Sequence, residues 1–348
     1  MGANDSVRSY LLKEIKEGTM KVVEVGHHCC VRLQKQAIAL LDKGYKVHII
    51  GNKLPSGPDW VTTCHFANIQ QLREALRLHK DADIIHVHNE PSWMLLVVKE
   101  VLPNIPVILD VHDAMIFRST DIKYRSAEER ITFDMADGFV FVGEKCREII
   151  NPKKPSCVLP SYVNEQHYAF QGWQWIGGVT YEGRVDVPEV REFMQYANYV
   201  DCCKAFQEAD VQFHIYAPGA TTGPKFECYK KICNLCVPLP YDDLIQILGC
   251  HDWGLCGNVK EYREWDIAMP NKLFEYMAGG IPIIALNCKE VAKFVEKHKV
   301  GIAVNSIEEI KERWDERAEC QKNVFAKRFE FSMENNIHVL EDLYKELT

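Results

Sequence analysis

PNKLFEYMAGGIPIIA, residues 270–285, is the stretch on which the fold of this chain turns. It reads as a loop, a helix from Asn271 to Ala278, a Gly279-Gly280 stop, and a buried strand from Pro282 to Ala285. A helix start leaves amide N–H groups without partners, so those of Asn271, Lys272 and Leu273 form a place where a diphosphate can dock. Lys272 adds a full positive charge beside them, and Glu275, one turn on, can accept two hydroxyl hydrogen bonds from a ribose. By themselves the same residues also make an ordinary helix with a surface lysine and glutamate.

Outward from this segment, short apolar runs alternate with helical patterns. In the first half the strands read as Lys21–Val25, Lys46–Ile50, Thr62–Phe66, Asp83–His88, Val107–Val111 and Gly138–Val142. Helices read over Val31–Lys43, Ile69–His79 and Glu128–Met135. The continuous apolar runs are of the kind buried on both faces of a parallel sheet. Pro152, Pro155 and Pro160 then punctuate the chain, and a polar, aromatic linker runs to about Ile176. Alternation restarts with strands at Gly178–Tyr181, Val211–Tyr216, Cys236–Leu239 and Trp253–Cys256. Helices follow at Val190–Ala209, Lys225–Cys233 and Asp242–Gly249, and a terminal helix at Ser332–Leu347. Strand–helix alternation of this kind predicts two doubly wound α/β domains, and 348 residues suit two cores. The boundaries predicted are an extension at 1–19, a first domain at 20–165, a second at 166–330, and a closing helix at 331–348. Ligands of such sheets bind past the carboxyl ends of the strands, so the residues that follow each strand are the candidates.

Bulk properties exclude several classes. An apolar share of 47% and a charged share of 26% describe a globular chain. A net charge of −8 speaks against a general nucleic-acid or anionic-membrane binder. No apolar run approaches the roughly 20 residues of a membrane span. Gly2 and Ser6 fit a loose myristoylation pattern without a polybasic second anchor, and Leu11, Leu12 and Ile15 read more simply as a packing stripe than as a peripheral membrane contact. Fourteen cysteines without a secretory signal point to a reducing, cytoplasmic setting. Cys228, Cys233 and Cys236 have iron–sulfur spacing but no evident fourth ligand. His27, His28, Cys29 and Cys30 are adjacent in sequence, so their side chains diverge, and a loop is the better reading. Asp81-Ala82-Asp83 marks a helix–strand junction rather than a manganese site. No metal ligand set is assigned.

Residues 270–285 resemble the donor-binding signature of glycosyltransferase family 4 and its relatives of the GT-B fold, and further motifs agree in order. Asp83–Asn89 followed by Val107–Asp113 (VILDVHD) is similar to the family's paired strands. Ala136–Val142 is similar to its last strand before the linker, and Tyr181-Glu182-Gly183-Arg184 to the opening of its second domain. Phe213–Gly219, Pro240–Leu244 and Asp252–Leu255 match further landmarks, over about residues 20–348 in all. The resemblance implies two Rossmann-like domains, the last helix crossing back to the first, and transfer of a hexosyl unit from a UDP- or GDP-type sugar. It implies a retaining, metal-independent reaction in which the donor phosphate helps take the acceptor proton. Arg184, Lys272, Glu275, Asn271, Leu273 and Tyr241 would hold the donor. His112 and Asp113 would act on the sugar side, and Gly26, His27 and Asn89 would line the cleft loop. Arg32 reads either as a contact for an anionic acceptor or as a solvated surface residue.

Two positions depart from the family pattern. Ile267 stands eight residues before Glu275, where a first glutamate is usual, with Glu264 and Asp266 out of register. Val190 stands where a lysine follows the arginine, and Lys272 is the cation left to take over its charge. A sugar-nucleotide epimerase of the same fold and a non-catalytic sugar-nucleotide sensor are the alternative readings. The acceptor is unidentified.

Overall fold

The computed structural model describes residues 20–28, 30–53, 62–88, 91–111, 114–118, 127–170, 174–189 and 192–348. The extension at 1–19 lies outside them, as do Cys29, Asn89, His112 and Asp113. The described residues fall into two compact units. Unit 1 takes those within 1–116, 123–159 and 336–348, and unit 2 those within 117–122 and 160–335.

Unit 1 is built on β1 (Lys21–His28), β2 (Lys46–Lys53), β3 (Thr62–His65), β4 (Ile84–His88), β5 (Val107–Val111), β6 (Gly138–Phe141) and β7 (Ser156–Val158). They form one parallel sheet in the order β3-β2-β1-β4-β5-β6-β7. The helices that matter for the site are α1 (Val31–Asp42), α2 (Ile69–Arg77), α3 (Trp93–Val101) and α4 (Ala127–Met135). Every residue of β4, β5 and β6 is buried, as a parallel strand covered on both faces requires.

Unit 2 repeats the plan with β8 (Val179–Glu182), β9 (Phe213–Tyr216), β10 (Asn234–Cys236), β11 (Trp253–Gly257), β12 (Ile283–Leu286) and β13 (Gly301–Val304). Their order, β10-β9-β8-β11-β12-β13, is again parallel throughout. Around them lie α5 (Val200–Glu208), α6 (Gly223–Tyr229), α7 (Tyr241–Leu248), α8 (Asn271–Gly279) and α9 (Lys289–His298). Both sheets therefore share the Rossmann order, which reverses between β1 and β4 in one and between β8 and β11 in the other.

The closing helix, α10 (His338–Leu347), belongs to unit 1 and packs on β6 and β7. Gly138 makes room for it: a Cβ there would stand 2.8 Å from Leu347 Cδ1. Tyr344 and Leu340, on one face of α10, are fully buried.

Several elements differ from the sequence reading. β1 continues through Gly26 to His28, because β4 supplies a partner as far as Gly26 and β2 as far as His28. Part of the stretch read as linker holds β7. The single helix read over Val190–Ala209 is a 3-10 turn (Glu192–Ala197) and then α5, with the buried Tyr199 between them. The terminal helix is likewise two pieces, Met333–Asn336 and α10.

Candidate functional site

At the reversal of the second sheet, β8 ends at Glu182 and the chain turns through Gly183, whose φ of +123° lies in the region that favours glycine. The side chain that comes up to this bare backbone is Lys272, with Nζ 3.5 Å from where a Gly183 Cβ would stand. Lys272 is half-buried at the start of α8, its ammonium 5.0 Å from the centre of the Tyr181 ring and 5.3 Å from that of Trp265. Two aromatic faces attract a cation by about 0.5–2 kcal/mol each, depending on desolvation. Burial works against the charged form, but Tyr181, Glu182, Cys256 and Glu275 outweigh it and hold the Lys272 pKa above that of an ordinary lysine. Lys272 is a cation at every physiological pH.

Around this lysine the helix start differs from the sequence reading in one respect: the Leu273 amide is already engaged. Pro270 caps α8 without any side-chain hydrogen bond, and Asn271 is exposed. Leu273 is fully buried, and its amide donates to Pro270 O at 3.1 Å, so it anchors the turn from the core. Glu275 is buried (4% exposed) and accepts from Tyr241 Oη at 3.1 Å. Burial and the adjacent Glu275 push the Tyr241 phenol far above its usual pKa, which keeps it a donor.

Arg184 is half exposed and does not stand alone. Asp186, 2% exposed, holds Arg184 Nε with one carboxylate oxygen and Lys225 Nζ with the other, each at 2.6 Å. Tyr181 Oη donates to Arg184 O at 2.9 Å, which fixes the same turn. Asp186 and Lys225 were not singled out in the sequence. Lys225 enters from α6, about forty residues along the chain from Arg184, and the only hint was the lysine missing at 190.

Unit 1 carries its charges inside. Side chains alternate along a strand, so Glu24, His86, His88 and Asp110 share one face, paired in register as Glu24 with His86 and His88 with Asp110. Arg32 is buried, neither acceptor contact nor surface residue. Its Nε donates to both Asp110 oxygens at 3.0 and 2.9 Å, and its Nη1 donates to Leu159 O at 2.7 Å. Gln36 Nε2 also donates to Asp110 at 3.0 Å. His88 lies 3.1 Å from a Glu24 oxygen, and His86 3.0 Å from Tyr344 Oη of α10. His86 and His88 thus hold the fold, as their shared face suggested.

Among the described residues, Glu24, His86 and His88 form a group whose ligand atoms lie within 4.8 Å of one another. Burial raises the Glu24 carboxyl to about 8 and lowers His86 to about 3, the neighbouring His88 adding to the latter. At neutral pH Glu24 and His86 are uncharged, and Arg32, the cation beside them among the described residues, is matched by Asp110. The donor set fits a neutral hydrogen-bonded cluster better than a divalent ion.

Two of the three cysteines with iron–sulfur spacing make short-range hydrogen bonds to backbone carbonyls. Cys233 Sγ donates to Tyr229 O and Cys236 Sγ to Asn234 O. Asp81 and Asp83 both bind Lys21, through its ammonium and its backbone amide, and close the helix–strand junction. Gly26 is buried near the end of β1, with half-buried His27 next to it.

The comparisons with known proteins agree with this geometry. Residues 24–164 match the family model described as Glycosyltransferase Family 4, and residues 194–335 that described as Glucosyltransferase 3-like, C-terminal domain. Among solved structures, HepE of Anabaena in complex with UDP-glucose aligns at a TM-score of 0.65 with 10% identity, covering 94% of this chain and 99% of that one. AviGT4, a glycosyltransferase involved in avilamycin A biosynthesis, aligns at 0.67 with 12% identity, covering 94% and 98%. Os79 of O. sativa, in complex with UDP and deoxynivalenol-3-glucoside, aligns at 0.58 with 10% identity, covering 94% and 100%. No curated protein matches the chain in sequence. Two parallel Rossmann-like units define the GT-B class. The chain is a glycosyltransferase of that fold, each half carrying its own glycosyltransferase family match.

Proposed function

We propose that this glycosyltransferase moves a hexosyl unit from a UDP-sugar to an acceptor hydroxyl, with retention at the anomeric carbon and without a metal ion. The observation that carries the reading is Lys272, a permanent cation fixed at an uncapped helix start beside Gly183 and one turn from the buried Glu275. UDP is favoured over other nucleotides because HepE and Os79, which share the fold, hold it.

In this reading Glu275 accepts the ribose hydroxyls, oriented by Tyr241. Lys272, the Asn271 amide and Arg184 meet the diphosphate, with Lys225 reinforcing Arg184 through Asp186. As the sugar–phosphate bond breaks, negative charge builds on the leaving phosphate. Cations already in place stabilise it without reorganisation, which removes the need for a divalent ion. The leaving phosphate takes the acceptor proton, and His112 and Asp113, which follow β5, support the sugar side. The free thiols of the described cysteines support a reducing, cytoplasmic setting. Among the described residues no helix is long and apolar enough to cross a membrane.

The test needs no knowledge of the acceptor, because water can serve as one. UDP-glucose is incubated with the protein in EDTA, and the first glucose released is followed by proton NMR before it mutarotates. α-Glucose as the first product supports retention and metal independence. β-Glucose first, or release only on adding a divalent ion, contradicts the corresponding part. No release at all favours a sensor.

A further inference from the structure

The reversal point of the first sheet holds a cavity of about 520 Å³ that none of the residues discussed so far explains, apart from His27. Its walls come from the ends of β1 and β2 (His27, Asn52), from the turn and helix after β3 (Phe66, Ala67, Ile69) and from the first residue of α3 after β4 (Trp93). Open parallel sheets bind small ligands where the strand order reverses, and this volume is of the size that holds one.

What the cavity offers is mainly apolar. Phe66 is buried, with the His27 ring edge-on at 6.4 Å, and Trp93 is half exposed. Ile69, 44% exposed at the start of α2, adds its apolar face to theirs. Besides His27 and Asn52, the other three lining side chains are polar and each already makes a hydrogen bond. Asn68 Oδ1 caps α2 by accepting from Gln71 N at 3.0 Å, and Gln70 Nε2 donates to Glu74 at 3.0 Å. Arg73 is bound through two nitrogens to Glu100, at 3.0 and 2.8 Å. The polar groups engaged in this way are held at the rim by their partners, and hydroxyls left unmatched against Phe66, Ile69 and Trp93 would be costly to bury.

The walls are also fixed in advance. Gln71 Oε1 accepts from Ala67 N at 2.7 Å, closing a reciprocal cap over the start of α2. Glu128 of α4 accepts from Ser92 Oγ at 2.7 Å and from Trp93 N at 3.0 Å, which holds the start of α3 in place. Binding to preset walls loses little ordering entropy.

We propose that this cavity takes the apolar part of the acceptor, an aromatic ring or a short hydrocarbon chain borne by the molecule whose hydroxyl is glycosylated. The word acceptor rests on the transfer reading above, whereas the apolar site stands without it. Ala67 and Ile69 are both exposed, so both can be changed without disturbing the core.

The experiment is calorimetric titration of the full chain, without nucleotide, with 2-naphthol, 1-octanol and maltose as probes. At least one apolar probe should bind, maltose should not, and Ala67→Trp and Ile69→Glu should each weaken that probe by about tenfold or more. Thermal stabilisation by UDP should be unchanged in both variants, which shows that they are folded. Preference for 2-naphthol identifies an aromatic group, and preference for 1-octanol an aliphatic one. Failure of both apolar probes to bind, or variants that bind them as wild type does, overturns the inference. A wild type that binds the apolar probe but no nucleotide contradicts the transfer reading instead.

Discussion

Two crevices of the same topological origin are lined differently in this chain. Between β8 and β11, Lys272, Arg184 and Lys225 are brought to the sheet's carboxyl edge, the latter two held there by one buried carboxylate. Between β1 and β4 the edge is walled by Phe66, Ile69 and Trp93, and the unit's buried charge lies deeper, closed on itself as Arg32 with Asp110. Strand order fixes where a ligand binds, and the residues just past the strands fix which ligand. Buried charge in unit 1 is architecture, whereas partly exposed charge in unit 2 is available for chemistry.

Removing a charge should therefore cost stability in unit 1 and function in unit 2. The largest effect expected is Arg32→Ala, which strands Asp110 and should lower unfolding free energy by about 3–5 kcal/mol in urea titrations. The double replacement Arg32→Met with Asp110→Leu should recover most of it, and a loss below about 0.5 kcal/mol for the single change would mean that Arg32 behaves as a surface residue.

Next comes Lys272→Ala, expected to reduce donor kcat/KM by about a hundred- to a thousandfold, near 2.7–4 kcal/mol, with far-ultraviolet circular dichroism unchanged. Asp186→Asn should act more mildly by loosening Arg184 and Lys225 together. UDP affinity should fall by about tenfold, or 1.4 kcal/mol, in calorimetry. Lys225→Ala should move affinity in the same direction, and an unchanged Kd there would separate Lys225 from the site.

The subtlest effect is one of pH. Glu24 titrates near 8 in the fold, against about 4.3 in an unfolded chain, so its contribution is complete below the lower value and is lost as pH rises through the higher. His86 works in the opposite sense between about 3 in the fold and about 6.5 unfolded, its contribution being lost as pH falls. The two oppose each other between roughly pH 4.5 and 6.5, which leaves Glu24 alone to lower stability from about 6.5 to 8. Glu24→Gln should flatten that upper slope, at most about 1.4 kcal/mol per pH unit for one proton.

The strands that carry the sheets were legible wherever apolar runs met a turn signal, as at Val107–Val111, whose range in the structure is the one read. What escaped has physical reasons. Helix α3 opens Trp-Met-Leu-Leu-Val-Val, so apolar on all sides that no period of 3.6 shows. β7 is three residues long and lies among prolines, which otherwise mark loops. Asp110 sits inside an apolar run, and a charge there signals a buried partner, but only the fold could say that the partner is Arg32, 78 residues away. In the same way α8 and its lysine could be read from one segment, while the Asp186–Lys225 pair required β9 to bring α6 back beside β8.

In the proposed reading the second sheet's reversal point binds the diphosphate and ribose of a nucleotide sugar. Thermal unfolding in EDTA with UDP, UDP-glucose, GDP and ADP tests it most directly, on wild type and on Lys272→Ala. Tm should rise clearly with UDP and UDP-glucose, and Lys272→Ala should lose that rise, since only a ligand of the native state stabilises it. No rise with any nucleotide in folded wild type, or an equal rise in Lys272→Ala, would contradict it.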